Sequence, residues 1–571
     1  MRTTERSARR RPGVVLGATL MSFALVASAC SSDSGTASNG TSGSTSGTSG
    51  GTGASTAETT PSTDAPTPVS GGTLRYGLEA DVDGLNPTSS ALSAPGLMMA
   101  NTVFDTLAAI DKNGKAVPYL AESFTPSADF KSWTVKVRPN IKFHDGAPLN
   151  SAAIAKAFEA QRSAPLVGLA VKPFYPETNA VTIVDDLTVT FNLLEANVYF
   201  PAALATQLGY VPSPLWLDAA AKDPTLNQKP VGTGPFKFDS RTQDNVTRFV
   251  RNPDWWGGKV YLDAVEFYPV TDAANMLDLL NNGELDAMQT TDQTAIKELK
   301  TSDKVTSVLD DTGEESFVMI NSQKAPFDDI RVRKALTYAT PKKNYLDLIG
   351  LGISREADQE FIPESPFYNP AVKQEADEPD KAVALVKEYC AEKPENCTGG
   401  KVNMEFQWSG PSVVQTRIAD MFNQAWSVAF NVKFDELNQQ DHIQQTALGQ
   451  YNVNTWRQFG ADDPWADNVW LLCRTVSGIS LNWPRYCSPE RDTLLLSAQA
   501  EQDPAKRVEL YKKVVQNIHD AYTYVFLTHT IWANSFVNNV HGACDHKSPE
   551  GVELKCASNG RTWFDTVWMD K

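Results

Sequence analysis

Two short runs set a strand period in this chain. Trp133-Thr-Val-Lys-Val137 and Val189-Thr-Phe-Asn-Leu193 alternate apolar and polar residues as half-buried strands do. Thr73–Leu78 predicts an earlier strand, followed by a Gly/Asn/Pro turn and an apolar helix over Ala94–Leu107. A helix over Ser151–Gln161 starts at Asn150 or Ser151 as N-cap. Strands return at Gly234–Phe238, Val246–Arg251 and Val265–Pro269, then a helix over Ala273–Asn281 closed by Gly283. Beyond Asn321 helices dominate, at Asp329–Thr340, Asp380–Cys390, Val413–Ala429 and Pro504–Ala521. The last has Asp503 as N-cap and Pro504 at the first helical position, a strong start signal. Strands Val402–Gln407 and Val432–Glu436 punctuate this half, so the pattern is mixed α/β.

The first seventy residues do not follow that pattern. Five arginines (Arg2, Arg6, Arg9, Arg10, Arg11) precede an apolar run from Val14 to Ala27, and Ala27-Ser-Ala-Cys30 closes it. A basic stretch, a short apolar core and small residues at its end make a bacterial export signal over residues 1–29. The run falls short of the ~20 apolar residues that span a bilayer. Cys30 after small residues looks like a lipobox, with Ala27 where Leu or Val is usual; the alternative is a secreted protein cut near Ala29. Arg9-Arg10 suggests a twin-arginine signal but lacks the Phe-Leu that should follow. Residues 30–70 are mostly Ser, Gly, Thr, Ala and Pro, which cannot bury enough apolar surface to offset ordering entropy. They are expected to be a disordered tether from a lipid-anchored Cys30, at the cell surface or in the periplasm.

From Gly71 to Lys571 the chain is long enough for several domains of ~100–200 residues. The net charge is -17, and -21 without residues 1–29, which hold five Arg and one Glu. That acidity argues against nucleic acid and against a close approach to anionic lipid; it also serves solubility. Of seven cysteines, Cys30 belongs to the anchor, leaving an even number in an oxidising compartment. They lie in local couples, Cys390 with Cys397, Cys473 with Cys487 and Cys544 with Cys556, and nearness favours those disulfides. No couple has the tight C-x₂₋₄-C spacing of a zinc site, so no metal is expected.

Several segments together carry a resemblance. Gly71-Gly-Thr-Leu-Arg-Tyr-Gly-Leu-Glu-Ala-Asp81 with Leu85-Asn-Pro87 resembles the mature start of the extracellular solute-binding proteins, family 5, the dipeptide and oligopeptide receptors of ABC importers. Tyr119–Phe124, Ser132–Arg138, Ile141–Gly146, Val231–Phe236, Arg251–Gly257, Gly283–Asp286 and Pro326–Ala335 are similar to further family segments, in the same order. The resemblance implies a two-lobed periplasmic-binding-protein-like clamp of α/β lobes. Lobe I is expected at residues 71–115, 230–320 and 526–571, an extra domain of lobe I at 116–229, and lobe II at 321–525. It also implies crossings near 320 and 525, hinge closure over a ligand, a monomer, partnership with a permease and its ATPase, and neither cofactor nor catalytic group.

The same resemblance points to a cleft. In peptide receptors an Asp about four positions before an acidic-Pro pair holds the ligand's α-ammonium. An ungapped match puts Gly460 there, in Trp456-Arg-Gln-Phe-Gly-Ala-Asp-Asp-Pro-Trp465, with Ala461 next. Asp462 or Asp463 would substitute in a shorter loop, or serve as turn or N-cap acids. The opposite edge is Leu78-Glu79-Ala80-Asp81, which would pair with a peptide backbone as an added strand, unless Glu79 and Asp81 only solvate the loop. Trp408, Trp456, Phe459 and Trp465 either stack on ligand or fill a core. Oligosaccharide, metal-chelate and opine-like ligands, and a sensory protein that has lost transport, remain alternatives. The one G-x-S-x-G string, Gly47–Gly51, lies in the tether without a strand-turn-helix around it.

Overall fold

The computed structural model describes residues 67–90 and 92–570. The export signal, Cys30 and nearly all of the tether fall outside the described residues. The first sheet is built on β1 (Thr73–Leu78), where Leu74, Tyr76 and Leu78 are fully buried. It runs parallel to β2 (Ala264–Pro269) on one side and β3 (Ala287–Thr290) on the other. Antiparallel strands Val246–Arg251 and Phe236–Thr242 extend the sheet beyond β2. After β4 (Val305–Asp310) the chain leaves this sheet, and β5 (Glu315–Ile320) already belongs to a second one.

In the second sheet β6 (Lys401–Ser409) runs parallel to β7 (Phe430–Leu437) and to β8 (Val453–Gln458). Strand β5 lies between β8 and β9 (Tyr524–His529), antiparallel to both. The chain returns through β10 (Trp532–Val537), which fits between β3 and β4. The two crossings are therefore residues 311–314 and 530–531, and they are bonded together: Thr530 N donates to Glu314 O at 2.7 Å. The expected crossings near 320 and 525 are corrected outward. The helix-rich pattern starts at Asn321, but the apolar strand before it pairs inside the second sheet.

A separate four-stranded antiparallel sheet (Ala121–Pro126, Ser132–Val137, Thr188–Asn192, Val181–Asp185) lies in the segment expected as an extra domain. Its core of Val135, Phe158, Phe191 and Phe200 is continuous with one face of the second sheet, at Phe317, Phe459 and Tyr524. The other face of that sheet packs Val318, Phe406 and Trp426. Tyr76, Phe267 and Phe536 centre the core of the first lobe.

Helices Ala273–Asn281 and Pro504–Ala521 have the predicted ends; Asp503 accepts from Ala505 N at 2.9 Å. The first helix, Ala94–Val103, stops short of Leu107 because the Val103 carbonyl accepts from Gly234 N at 3.0 Å. A Cβ on Gly232 would lie 2.0 Å from that same carbonyl oxygen, so the approach requires glycine. The three expected disulfides are formed. Among the described residues no helix is long and apolar enough to cross a membrane.

Candidate functional site: an interlobe cleft

In open α/β sheets ligands sit beyond the carboxyl ends of parallel strands, where the chain order switches direction. Strand β1, flanked by β2 and β3, provides such an edge in the first lobe, and β6 beside β8 provides one in the second. Residues at and just past these edges, Glu79 on one side and Arg457 to Asp463 on the other, make contacts across the lobes.

Glu79 accepts from Thr291 N at 3.2 Å and from Thr291 Oγ1 at 2.9 Å, and its other oxygen faces Arg457 at 3.3 Å. Arg457 also donates to Thr291 Oγ1 at 3.1 Å and lies 5.1 Å over the Trp532 ring. Its Nε stands 4.0 Å from Glu314, in the first crossing, and Trp532 Nε1 donates to the same carboxylate at 3.1 Å. Burial pushes the Glu314 carboxyl up, against the pull of Arg457 and Trp532, and Glu79 and Asp310 add to the rise. Burial disfavours the charge on Arg457, but Glu314 and Glu79 outweigh it and raise the guanidinium further.

Asp462 is the second bridge. Lys555 Nζ donates to Oδ1 and Ser558 Oγ to Oδ2, both at 2.8 Å, with Arg561 at 4.0 Å. Burial raises this carboxyl, yet Lys555, Arg561 and the Ser558 hydroxyl together hold it below the usual range. The Asn559 amide donates to the Gly460 carbonyl, and Asn559 N donates to Asp310 at 2.7 Å. A Cβ on Gly460 would come within 3.0 Å of the Asn559 amide. A side chain there would press on the Asn559 amide that meets the 460 carbonyl.

The neighbouring acids have structural partners. Asp463 accepts from Trp465 N at 3.0 Å and takes a two-pronged pair from Arg507, whose guanidinium stacks 3.3 Å over Tyr199. Asp81 pairs with Arg241 at 3.0 Å and accepts from Asp244 N at 2.7 Å; Ala80, between Glu79 and Asp81, is half-buried. Of the aromatics weighed between ligand and core, three have core side chains. Trp408 packs against Phe406 and Phe434, Phe459 against Phe317 and Tyr524, and Trp465 donates from Nε1 to Tyr199 O at 2.9 Å. Trp456 is half-buried, edge-on to Trp483. Ala461 follows Gly460 in the bridging loop.

Behind this loop lie buried acids. Glu360 and Asp467 are each pushed up to about 7, by burial first. Glu315 is raised as well, by burial and by both of those carboxyls, and its Oε1 meets His529 Nδ1 at 2.9 Å. Beside the carboxyl ends of β6 and β7 a groove of about 560 Å³ is lined by Ser412, Val413, Arg417 and Glu436. Sequence reasoning missed Thr291, Glu314, Arg457 and Trp532, and the tail residues Lys555, Ser558 and Asn559. Arg457 stands inside the flagged segment, one place past Trp456; no local signal marks the others.

The profile of a family described as bacterial extracellular solute-binding proteins, family 5 middle, matches residues 115–479, more than half of the chain. The dipeptide-binding protein of Escherichia coli (strain K12) is 27% identical over 491 residues, 80% of this chain and 89% of that relative. Heme-binding protein A of Haemophilus influenzae is 27% identical over 439 residues, 72% of this chain and 79% of its own. An ABC transporter-associated periplasmic binding protein of Helicobacter pylori, solved with the peptide STSA, superposes with a TM-score of 0.77 at 22% identity, over 88% of this chain and 99% of that one. The two-lobed α/β architecture and the family match agree. The chain belongs to the extracellular solute-binding proteins of family 5, the substrate receptors of ABC importers.

Proposed function

We propose that the protein is a lipid-anchored, extracytoplasmic receptor that captures short peptides between its lobes and passes them to a membrane permease. One observation carries the reading: beside the β1 and β8 edges that would hold an extended ligand, two carboxylates, Glu79 and Asp462, each meet a cation of the opposite lobe, Arg457 and Lys555. A backbone laid along the β1 edge is recognised without regard to side chains. An α-ammonium needs a carboxylate once it is removed from water, and Asp462 is the acid assigned to it. The dipeptide-binding relative, matched over 89% of its length, supports the same class of ligand. Mass spectrometry of what co-purifies, followed by calorimetry with a peptide library, tests the proposal. Peptides bound at micromolar or better affinity are expected. A wild-type protein that ignores every peptide and binds heme, a nickel chelate or a sugar overturns the peptide assignment.

A heme ligand is the second reading, favoured by the equal identity to the heme-binding relative. A visible absorption band appearing on titration with hemin would select it.

A further inference from the structure

The group paired with Asp462 belongs to the protein itself. Lys555 Nζ lies 2.8 Å from Asp462 Oδ1, and the contact joins the C-terminal tail of the first lobe to the loop after β8 in the second. The backbone of that tail is fixed. Lys555 N donates to Ile110 O at 2.9 Å, Leu554 bridges Asp111, and Cys556 is tied to Cys544. The side chain is less constrained: it keeps 26% of its surface exposed, whereas that of Asp462 keeps 10%. Apart from Asp462, its one further hydrogen bond among the described residues is a 3.3 Å contact to Thr312 Oγ1.

We propose that Lys555 is a built-in occupant of the cation subsite at Asp462, so that a ligand's ammonium must displace it to bind; the proposal rests on the peptide reading above. Lys555 is thus the residue that sets how strongly the cleft selects for a free amine. The exchange is one primary ammonium for another on the same carboxylate oxygen. When Lys555 swings to solvent, Asp462 keeps the Ser558 hydroxyl at 2.8 Å and Arg561 at 4.0 Å. The acid is never left without a partner, which is what makes the swap feasible at a desolvated site. The backbone anchors mean that only a side chain moves. A ligand that binds only the displaced state has its affinity reduced by the fraction of molecules in that state. A pair formed in ~90–99% of molecules weakens apparent affinity about ten- to a hundredfold.

The test compares a dipeptide with its N-acetylated form on wild type, Lys555→Gln and Lys555→Arg, by calorimetry, with melting curves to verify folding. Lys555→Gln should tighten the free-amine dipeptide by about tenfold or more and leave the acetylated one within twofold. Lys555→Arg, which keeps the charge, should leave the ratio of the two affinities near the wild-type value. If Lys555→Gln melts well below wild type, Lys555→Met, which keeps the aliphatic stem, takes its place with the same expectation. Wild-type binding with a ratio unmoved by Gln or Met overturns the gate and leaves the peptide reading intact. So does an equal change for both ligands. A wild type that binds neither form refutes the peptide reading, and the gate with it.

Discussion

Asp462 and Asp463 are adjacent, yet their partners differ: Lys555 and Ser558 hold the first, Arg507 the second. Asp463 caps a turn and grips Arg507, so Asp463→Asn should cost about 3–5 kcal/mol in a denaturant melt, the range for broken buried pairs, while peptide affinity stays within twofold. Asp462→Asn should weaken binding as well. Truncating a desolvated charge pair costs ~2–5 kcal/mol of binding, so calorimetry should show roughly a thirtyfold loss or more for free-amine peptides. If both variants weaken binding alike, the division of labour is wrong. The buried acids act through pH. Glu360 and Asp467 keep their protons up to about pH 7, whereas ordinary values are 4.5 and 3.8. Their contribution to stability is full below those ordinary values and is lost as the pH rises through 7. His144, His442 and His529, pushed down to about 4 by burial, act in the opposite sense and lose theirs as the pH falls from 6.5 through 4. Glu360→Gln should therefore raise the melting temperature relative to wild type more at pH 8 than at pH 4.5. An equal shift at both values would mean that folding does not raise the Glu360 carboxyl above its ordinary value.

At the scale of elements, the local signals were legible. Alternation marked Trp133–Val137 and Val189–Leu193, each within one residue of the strand ends, and the Asp503-Pro504 pair marked the start of the long helix, because each is decided within a few residues. The crossings were not. Whether Glu315–Ile320 joins the first sheet or the second depends on partners some 140 and 210 residues away, at β8 and β9. The site divides the same way. Glu79 and the 459–463 loop could be flagged from family-like segments, but Lys555 reaches Asp462 from 93 positions along the chain. Trp408, Phe459 and Trp465 show the other limit: an aromatic in a flagged segment reads the same whether it faces a ligand or a core. The cysteine couples were legible because short loops close most readily. Replacing Cys473 and Cys487 by serine, which frees a pair separated by 14 positions, should cost roughly 3 kcal/mol on the entropic model. A melt unchanged by the double replacement would leave that disulfide without a stabilising role.

For the whole molecule, two lobes joined by two short crossings imply opening and closing. A ligand that touches both lobes only when they are together shifts the population toward closure. Small-angle scattering should then show a smaller radius of gyration with a bound peptide, and an unchanged radius under saturating ligand would argue against hinge closure. The anchor is tested at the same scale. Cys30→Ala should release the protein from the membrane fraction, and equal pelleting of mutant and wild type would exclude lipidation at that cysteine.

The crossings lie side by side and are tied together, as two pins on one door post are, so they define an axle. Glu314 and Thr312, which touch Arg457 and Lys555, belong to the first of them. The groups assigned to recognition thus sit where leverage is shortest. A swing of the lobes hardly changes the spacing of these charges, but it carries the far rims through long arcs.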